Sequence, residues 1–186
     1  MEVGERIDKY VITDIMHGGM SEVYRVAIDG DPIRFVIKRL KEGANEEQKK
    51  LFLREMRILR ELKHIYIIEV LEEHYDEDCP YYVMPSCGKS FVDIASSSDE
   101  YKKLILTIQM CEGIDYLHKN NVRHRDIKPQ NILIKDDIVK IADFGLSRFS
   151  ERDSTTLTST SLIAGTQGYM PDQKSTRLNS SHPSRS

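Results

Sequence analysis

Apolar and polar positions follow a strand-like pattern over the first forty residues and a helical one afterwards. Residues 10–12 form a short β-prone run, and the pair Gly18-Gly19 ends the extended stretch behind it. Residues 22–26 alternate polar and apolar, as a half-buried strand does. Gly30, Asp31 and Pro32 mark a turn, and residues 35–37 read as a third strand. Leu51, Phe52, Met56, Leu59 and Leu62 then recur at spacings that line one helix face, with Asn45 and Gln48 placed as a capping box. Glu55 falls inside that apolar stripe. A carboxylate facing inward is expensive unless paired, so the pattern asks for a cation from another element.

Residues 67–71 and 81–84 read as two more strands. A helical pattern starts at Phe91. Ser97 and Glu100 predict a second capping box, and Leu104, Ile108, Cys111, Ile114 and Leu117 the face behind it. Residues 132–134 and 139–141 are short strands around a turn at Asp136-Asp137. Residues 150–162 hold eight Ser or Thr in thirteen positions and predict an exposed loop.

Composition adds limits. The chain has 186 residues, 39% hydrophobic and 31% charged, enough to bury a core. Lys plus Arg is 27 against 30 Asp plus Glu, which gives no basic excess for general nucleic-acid binding. No apolar run reads as a membrane span, and Met1 to Lys9 lacks a signal core. Cys79, Cys87 and Cys111 are odd in number and include no C-x-x-C pair, which argues against disulfides and structural zinc. The expected compartment is the cytoplasm.

Four clusters carry chemistry. Gly18-Gly19-Met20-Ser21-Glu22-Val23 lies between two predicted strands; it reads as a hairpin turn or as a backbone cradle for phosphate. Lys38 ends an apolar strand and is either a solvated lysine or the cation that Glu55 needs. His124-Arg125-Asp126-Ile127-Lys128-Pro129-Gln130-Asn131 offers a base for a hydroxyl proton, a cation for phosphate and an amide oxygen for a metal. Asp143-Phe144-Gly145 places a carboxylate at a strand end, where Mg²⁺ can be held together with phosphate oxygens.

In this order the clusters resemble the protein-kinase signature of glycine loop, strand lysine, helix glutamate, H-R-D-x-K-P-x-N and D-F-G, over residues 10–170. The resemblance is to eukaryotic-type Ser/Thr protein kinases, and the two loops look most like the bacterial members. It implies an α+β, two-lobed fold. Residues 1–88 would be the N-lobe, an antiparallel sheet plus one helix, and the hinge. Residues 89–171 would be a partial, mainly helical C-lobe.

The resemblance also implies roles. Lys38, paired with Glu55, would hold ATP phosphates; Asp126 would accept the substrate hydroxyl proton beside Lys128; Asn131 and Asp143 would hold Mg²⁺. Nucleotide contacts would come from Gly18, Gly19, Ser21, Val23, Val36, Met84, Pro85, Cys87 and Leu133, with the Pro85 carbonyl and Cys87 N–H meeting adenine. Leu59, Val70, His124 and Phe144 would stack as a hydrophobic spine. Arg125 would pair with a phosphorylated loop residue, of which Thr155, Thr156, Thr158 and Thr160 are candidates. Thr166 would instead contact Asp126 and Lys128.

The implied partners are ATP and proteins carrying Ser or Thr, with no nucleic acid and a membrane link only through further sequence. Met16 and Ser21 stand where the signature has glycine, and Val36 where it has alanine. A nucleotide-binding scaffold without transfer is therefore the alternative. Residues 172–186 resemble the in-frame translation of a sequencing-library adapter. The expectation is that the family's further helices are missing, so that the chain alone is inactive and exposes apolar surface.

Overall fold

The computed structural model describes residues 1–31, 34–95 and 99–149. An antiparallel six-stranded sheet has the order β1-β2-β3-β4-β6-β5. Its strands are β1 (Arg6–Ile7), β2 (Tyr10–His17), β3 (Ser21–Ala27), β4 (Arg34–Leu40), β5 (Glu72–His74) and β6 (Tyr81–Pro85). The two faces of the sheet bury different cores. Ile7, Tyr10, Ile12, Tyr24, Val26, Ile37, Tyr81 and Val83 cluster on one face. The other face carries a row set by register: Val23 opposite Lys38, and Lys38 opposite Tyr82. Cross-strand partners share a face, and from this row Lys38 and Tyr82 reach helix α1 (Glu46–Glu61) at Glu55.

Helix α1 begins as the sequence predicts. Asn45 accepts from the Gln48 backbone N–H and Gln48 returns a side-chain contact, each at 2.9 Å. Its inner face buries Phe52, Met56, Ile58 and Leu59, together with Glu55. After it the strand expected at 67–71 does not form. Ile67 makes one isolated bridge to Ile141, and the Ile68 N–H donates to the Ile141 carbonyl at 2.9 Å. Ile67 and Ile68 are buried on the far half of the molecule, so their apolar run serves packing there; pairing in the large sheet passes to Glu72–His74.

The remaining elements are β7 (Lys89–Ser90), α2 (Phe91–Ala95), α3 (Glu100–Lys119), β8 (Val122–Arg123), a single 3-10 turn (Pro129–Asn131), β9 (Ile132–Lys135), β10 (Ile138–Ile141) and β11 (Arg148–Phe149). Asp136 and Asp137 both have positive φ, 51° and 61°, which suits the tight β9–β10 turn. The N-cap of α3 is Asp99, whose carboxylate accepts from the Lys102 N–H at 2.7 Å, and not the predicted Ser97. The cap moves along the chain yet keeps the same chemistry, because any short oxygen-bearing side chain can cap.

The face of α3 agrees with expectation in part. Leu117 is buried and Ile114 packs partly buried on the core, but Leu104, Ile108 and Cys111 are exposed, and Leu106 and Gly113 are buried instead. Packing on β10 selects the glycine side: a Cβ at Gly113 would lie 2.8 Å from Ile141 Cδ1. Tyr101, Leu104, Ile105 and Ile108 are exposed among the described residues and form an apolar surface on α3.

Candidate functional site

Strand register and helix phase bring Lys38 and Glu55 together. Lys38 Nζ donates to Glu55 Oε1 at 2.8 Å and Oε2 at 3.0 Å, and the Glu55 side chain is 0% exposed. The cation demanded by the apolar stripe is therefore present. Nζ also reaches Asp143 Oδ1 at 3.1 Å, across 105 residues of sequence. Burial pulls the Lys38 ammonium downward, but Glu55 and then Tyr82 and Asp143 outweigh it and hold it well above the usual lysine value.

Asp143 ends the segment that follows β10 and adopts φ 63°, a left-handed conformation uncommon outside glycine. Its side chain is 48% exposed. Burial pushes its carboxyl up, yet the charge and hydrogen bond of Lys38 prevail and leave it below the ordinary carboxylate range. The next residue, Phe144, turns into the core with its ring 4.7 Å from that of His124. Leu59, Val70 and Phe144 belong to one core, and the buried His124 meets Phe144 of that core through its ring. A Cβ at Gly145 would make only ordinary contacts, 3.5 Å from Asp143 Oδ1 and 3.7 Å from Glu55 Oε2, so this glycine borders both carboxylates.

The loop after β8 holds the next group. His124 Nε2 bonds the Ala142 carbonyl at 3.0 Å and Nδ1 accepts from the Asp126 N–H at 3.3 Å. Burial lowers the His124 pKa, which suits a neutral ring using both nitrogens this way. Arg125 between them is exposed with φ 69°. Asp126 is 8% exposed, and its Oδ2 meets Lys128 Nζ at 2.8 Å and Asn131 Nδ2 at 3.0 Å. Nδ2 of Asn131 also bonds the Asp126 carbonyl at 2.9 Å. With the amide nitrogen so committed, the Asn131 oxygen is the end presented to a cation. Asn131 and Asp143 offer hard oxygen donors, one neutral and one charged, and fit Mg²⁺ that shares its remaining positions with phosphates and water.

The residues expected to bind nucleotide lie at the β2–β3 turn, on β3, β4, β6 and β9, and, for Cys87, just past β6. Gly18 and Gly19 form the turn between β2 and β3, with Ser21 and Val23 leading away. A Cβ at Gly18 would sit 2.7 Å from the Ser21 carbonyl oxygen, and Lys41 Nζ holds the Gly18 carbonyl at 2.7 Å. Val36 of β4 lies opposite Met84 of β6, and Leu133 stands on β9, all half-buried. Leu40 N–H to Pro80 and Ser86 N–H to Arg34 set the alternation of the β4–β6 ladder. By that alternation the Pro85 carbonyl points away from β4, and β5 ends opposite Val83. Cys87 packs beside it, its Sγ 4.0 Å from that carbonyl. Thr155, Thr156, Thr158, Thr160, Thr166 and the segment 172–186 lie outside the described residues.

One residue escaped the sequence reading. Tyr82 donates its hydroxyl to Glu55 Oε1 at 2.9 Å. Burial, then the Glu55 charge, push its phenol well above the ordinary tyrosine value, so it stays a donor. The signal was its place opposite Lys38, visible only once the β4–β6 register is known.

The sequence model of the protein kinase domain matches residues 11–178. The chain belongs to the protein kinase family. It is 32% identical over 173 residues to a calcium/calmodulin-dependent protein kinase type 1 of Macrobrachium nipponense, covering 88% of this chain and 49% of that protein. Against a receptor-like serine/threonine-protein kinase of Arabidopsis thaliana it is 33% identical over 162 residues, covering 82% and 44%. Against an interferon-induced, double-stranded RNA-activated protein kinase of Rattus norvegicus it is 31% identical over 191 residues, covering 88% and 36%. The chain thus spans about half or less of the length of these curated relatives. All three belong to eukaryotes, so the bacterial sub-assignment drawn from the two loops gains nothing from them. The α+β fold, with its curled antiparallel sheet and an incomplete helical half, is that of a kinase domain.

Proposed function

We propose that the chain is the nucleotide-side part of a serine/threonine protein kinase that moves the γ-phosphoryl group of Mg-ATP to Ser or Thr hydroxyls of proteins. The observation that carries this is Lys38, buried and bonded to both Glu55 and Asp143. Lys38 would hold phosphate oxygens at a position fixed by Glu55. Asp126, its rotation set by Lys128 and Asn131, would orient the substrate hydroxyl and take its proton. The hydroxyl oxygen then bonds the γ-phosphorus as the bond to the bridging oxygen of ADP breaks. Mg²⁺, held by Asn131 and Asp143, would neutralise β- and γ-phosphate charge. Gly18, Gly19, Ser21, Val23, Val36, Met84, Pro85, Cys87 and Leu133 would bind the nucleotide. Lys128 favours Ser/Thr over Tyr substrates by its resemblance to that class.

The test is transfer of labelled phosphate to a generic basic protein by the full-length protein. Expected are phosphoserine and phosphothreonine, lost on metal chelation. The 186-residue chain alone should transfer nothing. ATP binding without any transfer would favour the scaffold reading, which draws on Met16, in register with Val23 at the cleft-side row.

The same reading makes Arg125 a regulatory residue. β8 and β11 set Arg123 directly opposite Arg148, and Arg125 follows two positions on. Like charges placed opposite each other are unfavourable and invite an anion. A phosphate on one of Thr155, Thr156, Thr158 or Thr160 supplies one. Mass spectrometry after incubation with Mg-ATP should find that modification. Arg125→Ala should then lose the activation it brings, by about 10-fold on the scale of a charged hydrogen bond. An unmodified loop, or full activation in Arg125→Ala, would end the idea.

A further inference from the structure

Two donors hold the Glu55 carboxylate. Tyr82 of β6 stands directly opposite Lys38 of β4, so both rise from one face of the sheet toward α1. Lys38 Nζ reaches both oxygens, and the Tyr82 hydroxyl adds a bond to Oε1 at 2.9 Å. Glu55 and Tyr82 are each 1% exposed. The Tyr82 ring also meets Phe52 of the same helix, centroids 5.7 Å apart, so the helix that carries Glu55 helps seat the group that binds it.

The two donors differ in kind. A lysine ammonium is a point charge on a flexible stem and accepts many carboxylate orientations. A phenol on a two-torsion side chain, wedged in a core, offers its proton along one direction. We propose that Tyr82 is a positioning residue for phosphoryl transfer, whose hydroxyl fixes the rotation and depth of the Glu55 carboxylate and thereby where Lys38 stands. This rests on the kinase reading of the site.

The arrangement is also a latch. If α1 moves outward, Lys38 still has Asp143 at 3.1 Å, but the Tyr82 hydroxyl loses its acceptor inside a core. A buried hydroxyl without a partner is unfavourable, so Tyr82 opposes that movement. Conversely, when Lys38 shares its hydrogens between Glu55 and phosphate oxygens, the Tyr82 bond keeps Glu55 in place beside it.

The experiment is a double-mutant cycle in the full-length protein with Tyr82→Phe and Glu55→Ala, followed by transfer rate and thermal unfolding. Tyr82→Phe alone should lower kcat about 10-fold, the scale of one hydrogen bond to a charged group. It should also lower the unfolding midpoint by about 2–4 °C. In the Glu55→Ala background the hydroxyl has already lost its acceptor. There Tyr82→Phe should leave the rate unchanged and should raise the midpoint. A tyrosine that merely fills the core would give the same loss in both backgrounds, and that result overturns the proposal, as does an unchanged rate in the single variant. A wild-type protein that transfers no phosphate would instead sink the kinase reading. The unfolding arm would then still decide whether Tyr82 anchors Glu55: a change of the same sign in both backgrounds would show that it does not.

Discussion

Asp143→Asn should lower phosphoryl transfer by at least about 100-fold, the scale of losing one preorganised charge contact to the reacting phosphate. The fold should survive the change. Asp143 has φ 63°, and asparagine tolerates the left-handed region better than any other side chain of its size. Its side chain is 48% exposed, so the ion pair with Lys38 at 3.1 Å is partly screened and contributes about 1 kcal/mol or less. What the substitution removes is the negative charge, held below the ordinary carboxylate range and so fully present at neutral pH. Labelled transfer and the thermal midpoint, measured together in the full-length protein, check both halves. Turnover within a few-fold of wild type would take Asp143 out of the metal site.

The second large effect concerns Lys38. Lys38→Met leaves a buried carboxylate with Tyr82 as its remaining described donor. Breaking such a pair from one side costs roughly 3–5 kcal/mol when the other charge cannot reach water. Transfer should fall by at least about 100-fold, because the phosphate-side cation is gone. Glu55→Gln should cost less, since the amide still fills the site and can accept from Tyr82. Combining the two should cost hardly more than Lys38→Met alone, because Glu55 acts on the nucleotide through Lys38. Additive losses in rate would mean that the two residues work separately and that their 2.8 Å contact serves stability alone.

Much of this site was legible in the residues alone. An acid in an apolar helix stripe demanded a cation, and Lys38 supplies it. The signature strings named Asp126, Asn131 and Asp143, and the structure links them in pairs: Asn131 bonds Asp126, the Asn131 carbonyl accepts from Ala142 N–H next to Asp143, and Asp143 reaches Lys38. The misses share a physical reason. Residues 67–71 carry a strand-like apolar run, but such a run reports burial and not hydrogen bonding; Ile67 and Ile68 are buried against β10 instead. On α3, Leu104 and Ile108 lead to the buried Leu117 in helical steps, so spacing admits them as readily as it does Leu106. Packing at Gly113 decided between them, and periodicity carries no trace of it. Tyr82 was hidden in the same way, since its partner depends on strand register across more than forty residues.

The two separate cores on the faces of the large sheet carry a consequence for how such a lobe wears change. Tyr24, Val26, Ile37 and Val83 are each 0% exposed on the face turned away from α1, in a cluster apart from the one that holds Tyr82. The strands therefore have an anchorage that owes nothing to the charged groups beside the helix. Helix α1 can tilt, or its polar contacts can drift in composition over evolutionary time, without the sheet giving up its shape. Mutational tolerance should thus divide by strand parity: alternate positions of one strand answer to packing alone, and their immediate neighbours answer to chemistry.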